Sequence, residues 1–148
     1  MKFLLLVVCL FCLGCSGNPE EPKVVKPWFS EEAKTRGIDF VFESGFNAFP
    51  YNPEIISGGV ALLDVDGDSD IDIYFVQGGS VVNKGQTEFA NQLFLNDGKG
   101  FFSNETAGSG TGDTSYGTGV TTGDYDNDGD VDIYITNVGA NVLLRNVG

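Results

Sequence analysis

Histidine is absent from the 148-residue chain, and basic residues are scarce: 8 Lys and Arg stand against 21 Asp and Glu, a formal charge of −13. Without histidine the commonest general base and the commonest transition-metal ligand are missing. So few basic residues exclude nucleic acid as a partner, because phosphate recognition needs a basic patch. Only three cysteines occur, Cys9, Cys12 and Cys15, all near the start, so no disulfide framework can staple the remainder. The apolar run from Phe3 to Leu13 falls short of the roughly 20 residues that span a bilayer. The Gly-rich stretch 108–117, GSGTGDTSYG, lacks the lysine of a phosphate loop and is expected to be a flexible connector. What remains is 41% apolar, with 21 Gly and 12 Phe, a composition suited to one domain of short strands joined by tight turns.

The opening MKFLLLVVCLFCLGCSG has one basic residue, Lys2, and then an apolar run with the length of a secretory leader. CLGC at 12–15 resembles the bacterial lipobox, with Cys15 in the position that becomes lipidated. The expected organisation is a leader over residues 1–15, a polar tether over 16–27 and a repeat region over 28–148. The chain is thus expected to be exported, in the cell envelope or outside the cell. Its contact with the membrane would be through the lipid alone, and Ser16 after the cysteine points to the outer membrane.

The chain repeats itself. ISGGVALLDVDGDSDIDIYFV (56–76) aligns without gaps to YGTGVTTGDYDNDGDVDIYIT (116–136) at an offset of 60 residues. NQLFLNDGKG from Asn91 matches NVLLRNVG from Asn141 at an offset of 50, so the first copy carries ten extra residues within 77–90. Repeat 1 covers about 56–106 and repeat 2 about 116–148. In repeat 1, GGVALL is an apolar strand and DIDIYFVQ alternates with period 2. NQLFLN is a third strand, NDGKG a hairpin turn and FFSNE a fourth strand. The fold class is therefore all-β: two four-stranded antiparallel blades of an incomplete propeller. The second lacks its outer strand, because repeat 2 stops before a counterpart of FFSNE. WFSEE at 28–32 resembles FFSNE and is expected to be a further outer strand. The aromatic stretch 44–54, with Phe46, Phe49 and Tyr51, is expected to pack over its own core. With fewer than three repeats present, the chain reads as part of a longer protein.

Ten of the acidic residues sit in two nine-residue loops: Asp64, Asp66, Asp68, Asp70 and Asp72, then Asp124, Asp126, Asp128, Asp130 and Asp132. Carboxylates at positions 1, 3, 5 and 9 of a tight loop point at one centre, and the residue at position 7 can add its backbone carbonyl. Such an all-oxygen cage suits Ca²⁺, which takes 6–8 oxygens. Mg²⁺ keeps its waters and demands octahedral geometry, so it suits the loop less. A divalent ion would relieve the repulsion among the carboxylates. Gly129 at position 6 allows the sharp turn, whereas Ser69 stands there in the first loop. The 64–72 site is therefore expected to be the weaker, or to turn differently.

EF-hand and dockerin loops require an acid at position 12, where this chain has Phe75 and Ile135. The loop with its last acid at 9, set between strands, resembles the FG-GAP/VCBS repeat of integrin-type β-propellers. The surrounding words resemble secreted proteins that carry an ASPIC/UnbV domain. The resemblance implies calcium-bound propeller blades and a role in adhesion. No nucleophile–base pair stands out beside the loops, so the function expected is non-catalytic: presentation of a surface to a protein or glycan ligand. The alternative is the propeller portion of a polysaccharide-acting enzyme.

Overall fold

The computed structural model describes residues 25–46, 51–56, 58–82 and 89–148. The expected leader, Cys15, most of the tether and Phe49 lie outside the described residues. The chain divides into residues 1–30 and residues 31–148. The described part of the first unit, 25–30, forms no helix or strand.

The second unit holds two antiparallel sheets. Sheet one runs in the order β1 (Gly59–Leu63), β2 (Asp72–Val76), β3 (Gln92–Asn96), β4 (Phe102–Asn104). Sheet two runs β5 (Gly117–Gly123), β6 (Asp132–Asn137), β7 (Val142–Leu144). Two short helices are added, α1 (Asn52–Ile56) and α2 (Thr106–Ser109). The sheets, of four strands and three among the described residues, are compatible with an incomplete propeller.

Pairing follows the internal repeat. Tyr74 faces Ala61 and Leu93 across sheet one, and Tyr134 faces Thr121 and Leu143 across sheet two. The sequence offsets of 60 and then 50 residues therefore preserve register across both blades. One-residue slips would invert every side chain, so the alternating pattern fixes this pairing.

The core lies between the sheets. Sheet one contributes Ala61, Leu63, Tyr74, Val76 and Leu93, and sheet two Ile133 and Ile135, with Val120, Val142 and Leu144 packed at the margin. Equivalent positions thus point opposite ways. Tyr74 is fully buried while Tyr134 is 39% exposed, because β2 turns Tyr74 and Val76 to the core and β6 turns Ile133 and Ile135. The first strands of the two sheets also approach closely: a Cβ on Gly59 would stand 3.3 Å from the Gly119 Cα. A larger residue at 59 would push the sheets apart.

Three expectations need correction. WFSEE forms no strand; nearby, a 3-10 turn occupies Lys34–Arg36. Local bonds win there: Glu32 O accepts from Arg36 N at 2.9 Å, and the Arg36 guanidinium bonds the Glu32 carboxylate at 2.8 Å. Gly37, at φ 92°, then ends the turn. The segment 108–117 is packed rather than loose. Thr111 and Tyr116 are buried, the Tyr74 hydroxyl donates to Thr111 O at 2.8 Å, and Asn91 N donates to Asp113 O at 2.9 Å. Of the aromatic stretch, Phe46 and Tyr51 are exposed, not packed over the core. No helix among the described residues is long and apolar enough to cross a membrane.

Candidate metal centre

Each acidic loop connects the first two strands of its sheet and is built by its own aspartates. In loop 1, Asp64 accepts from Gly67 N at 2.9 Å and from Ser69 N at 3.0 Å. In loop 2, Asp124 accepts from Asp128 N at 3.1 Å and from Gly129 N at 3.0 Å. The first carboxylate therefore folds the loop around itself, as Asp commonly does by bonding backbone N–H groups a few residues ahead. Asp68 and Asp128 each accept from the N–H two residues on, at 2.9 and 3.1 Å.

The last carboxylate has a second task. Asp72 is buried, and its two oxygens take Val65 N at 3.0 Å and Asn96 N at 2.8 Å. Asp132 repeats this with Tyr125 N at 3.0 Å and Asn146 N at 2.8 Å. Each thus ties the loop's entry to the end of the third strand, with charge-assisted bonds that offset its burial. Sequence reading missed Asn96 and Asn146 as partners, although both sit at the same place in the two copies.

Left-handed backbone appears at positions 4 and 6 of both loops: Gly67 and Ser69 at φ 77° and 76°, Asn127 and Gly129 at φ 61° and 100°. The turns match, so the expectation of a different turn in loop 1 is corrected. Each loop has one glycine and one side-chain-bearing residue at these positions, with the order exchanged. Asn tolerates this conformation better than Ser.

Convergence differs between the loops. Oxygens of Asp64, Asp66 and Asp72 lie within 4.8 Å of one another in loop 1, and those of Asp124, Asp126 and Asp128 in loop 2. Asp68, Asp70, Asp130 and Asp132 stand outside these groups. In loop 2 a residue not singled out from the sequence, Arg145, bridges Asp126 Oδ2 at 2.8 Å and Asp128 Oδ2 at 3.0 Å, drawing positions 3 and 5 together. The Asp130 N–H, and after it Arg145, hold the Asp128 carboxyl below the usual carboxylate range. Asp66 moves the other way: partial desolvation, opposed by the Asp68 N–H and reinforced by the charges of Asp68, Asp72 and Asp64, pushes it up. Among the described residues no Lys or Arg pairs with the loop 1 carboxylates.

The two loops and the segment between them are the parts that a known repeat shares. Residues 64–135 carry an FG-GAP-like repeat. No curated protein and no solved structure gives a match. The FG-GAP-like repeat starts at Asp64, the first carboxylate of loop 1, and ends at Ile135 in β6, so it takes in both loops entire. The donor set within it is oxygen alone, with no histidine anywhere in the chain, and this fits a hard cation.

Proposed function

We propose that the chain is a non-catalytic propeller segment whose two acidic loops bind Ca²⁺ structurally, and which presents its surface to a protein or glycan outside the cell. The observation that carries this reading is the convergence of three carboxylate oxygens within 4.8 Å in each loop. Three such charges held together need a counter-cation, and an all-oxygen cage favours Ca²⁺ over Mg²⁺. The leader expected at residues 1–15 supports a setting where millimolar calcium is available, which suits extracellular sites with dissociation constants of about 10⁻⁴–10⁻³ M. The words around the loops, which resemble those of secreted ASPIC/UnbV proteins, favour the same setting.

Calcium at tenfold above its dissociation constant stabilises a one-site protein by about 1.4 kcal/mol. Thermal melting of the full chain in EDTA and in 5 mM CaCl₂ is therefore expected to show a rise of several degrees with calcium. Asp64→Asn with Asp124→Asn should remove that rise while Mg²⁺ reproduces little of it. Equal melting temperatures in EDTA and calcium would end the proposal.

A further inference from the structure

The two repeats correspond residue for residue around the loops, yet one position changes in charge. Leu95 in β3 is half-buried and packs at the edge of the core. Its counterpart in repeat 2 is Arg145, just beyond β7. Arg145 faces loop 2, with Nε 2.8 Å from Asp126 Oδ2 and Nη2 3.0 Å from Asp128 Oδ2. Both are members of the trio that converges in that loop. Among the described residues no Lys or Arg bridges Asp64, Asp66 or Asp72.

We propose that Arg145 is a built-in counter-cation of loop 2, which holds that loop in shape without metal and competes with the divalent ion for Asp126 and Asp128. The proposal rests on the calcium reading above and assigns unequal roles to its two sites. A guanidinium presents a rigid fork that can engage two carboxylates at once. An ion entering loop 2 must either displace that fork or sit a few ångströms from its positive charge, and both lower affinity. In loop 1 the equivalent position is filled by an apolar side chain, so among the described residues no Lys or Arg offsets the carboxylates. Loop 1 is then the site at which the fold depends on calcium, and loop 2 the weaker site, ordered in either state. The strain at Ser69 does not reverse this ranking. Each loop carries one side-chain-bearing residue in this conformation, Ser69 and Asn127, so such strain is common to both sites.

The test uses the full chain with Ca²⁺ alone as probe. Asp64→Asn with Asp66→Asn silences loop 1, and Arg145→Leu installs the residue of repeat 1. Calorimetric titration at low ionic strength is expected to show loop 2 binding Ca²⁺ about fivefold tighter after Arg145→Leu, with the gap narrowing in high salt because half-exposed ion pairs are screened. In EDTA the Arg145→Leu chain should melt lower than its parent. Arg145→Lys, which keeps the charge but not the fork, should fall between the two. Should the loop 1 variant not fold, Arg145→Leu alone can be followed by NMR, with the Gly67 and Gly129 amides reporting each loop separately. Unchanged or weaker binding at loop 2 overturns the competition, and an unchanged melt in EDTA overturns the counter-cation. Absence of binding at both loops in the parent chain is a different failure: it removes the calcium reading itself, and the competition with it.

Discussion

At the scale of single residues, the loops show how one backbone shape is reached from two sequences. Gly67 and Asn127 share one left-handed position, Ser69 and Gly129 the other. A Cβ at Gly67 or Gly129 would meet nothing within 4 Å, so conformation rather than space sets the preference for glycine. Serine in this region costs roughly 1–2 kcal/mol against glycine, less the greater chain entropy that glycine loses on folding, about 0.5–1 kcal/mol. Ser69→Gly is therefore expected to stabilise the chain by about 0.5–1 kcal/mol, read as a higher urea midpoint at unchanged slope. The gain should be the same in EDTA and in calcium where the left-handed turn does not depend on the ion. A gain confined to calcium would mean that loop 1 reaches its left-handed turn only around the ion. The aspartate spacing announced the two loops from sequence alone. Arg145 was harder to see, because its only signal is the point where two otherwise matching copies part, Leu95 against Arg145.

At the scale of elements, strand positions were legible because alternation and register are local consequences of side-chain chemistry. The ten extra residues of repeat 1 could likewise be counted before the pairing of Tyr74 with Leu93 and Tyr134 with Leu143 was known. What eluded sequence reading depends on tertiary partners. Asn91 accepts from Gln77 N at 2.7 Å, and Asn141 from Asn137 N at 3.0 Å, so one amide pins the second strand to the third in both sheets. The short helices α1 and α2 carry too few residues for a period to show. WFSEE copies the letters of an outer strand, but its neighbours favour a turn closed by Glu32 and Arg36.

The β3–β4 hairpin turn, legible as NDGKG, supports a sharper expectation. Asp97 accepts from Lys99 N at 2.9 Å and Phe101 N at 3.0 Å. These bonds, the one from Phe101 foremost, hold its carboxyl below the ordinary range. A carboxyl lowered in the folded state adds stability above its unfolded value of about 3.9 and loses it as pH falls through the folded value. Asp97→Asn should therefore be less stable than its parent at pH 6, and the two should converge as pH falls through the folded value. Denaturant titrations across that range measure the difference, and a gap that stays constant with pH would assign the effect to shape alone.

At the scale of the whole unit, the two sheets share one core. Ile133 and Ile135 are buried in the same cluster as Tyr74, Val76 and Leu93. Asn146, which closes loop 2, also donates to Val65 O of loop 1 at 2.8 Å. The two loops are therefore mechanically joined. Ile135→Ala removes a fully buried side chain at the middle of the interface and should cost about 2–5 kcal/mol. If the blades fold as one, native-state hydrogen exchange will show that loss in β1–β3 as well as in β5–β7, and calcium will restore protection in both sheets together. Should β1–β3 keep their protection while β5–β7 open, sheet one would stand alone, and the shared core between the blades would be a contact rather than the source of their stability.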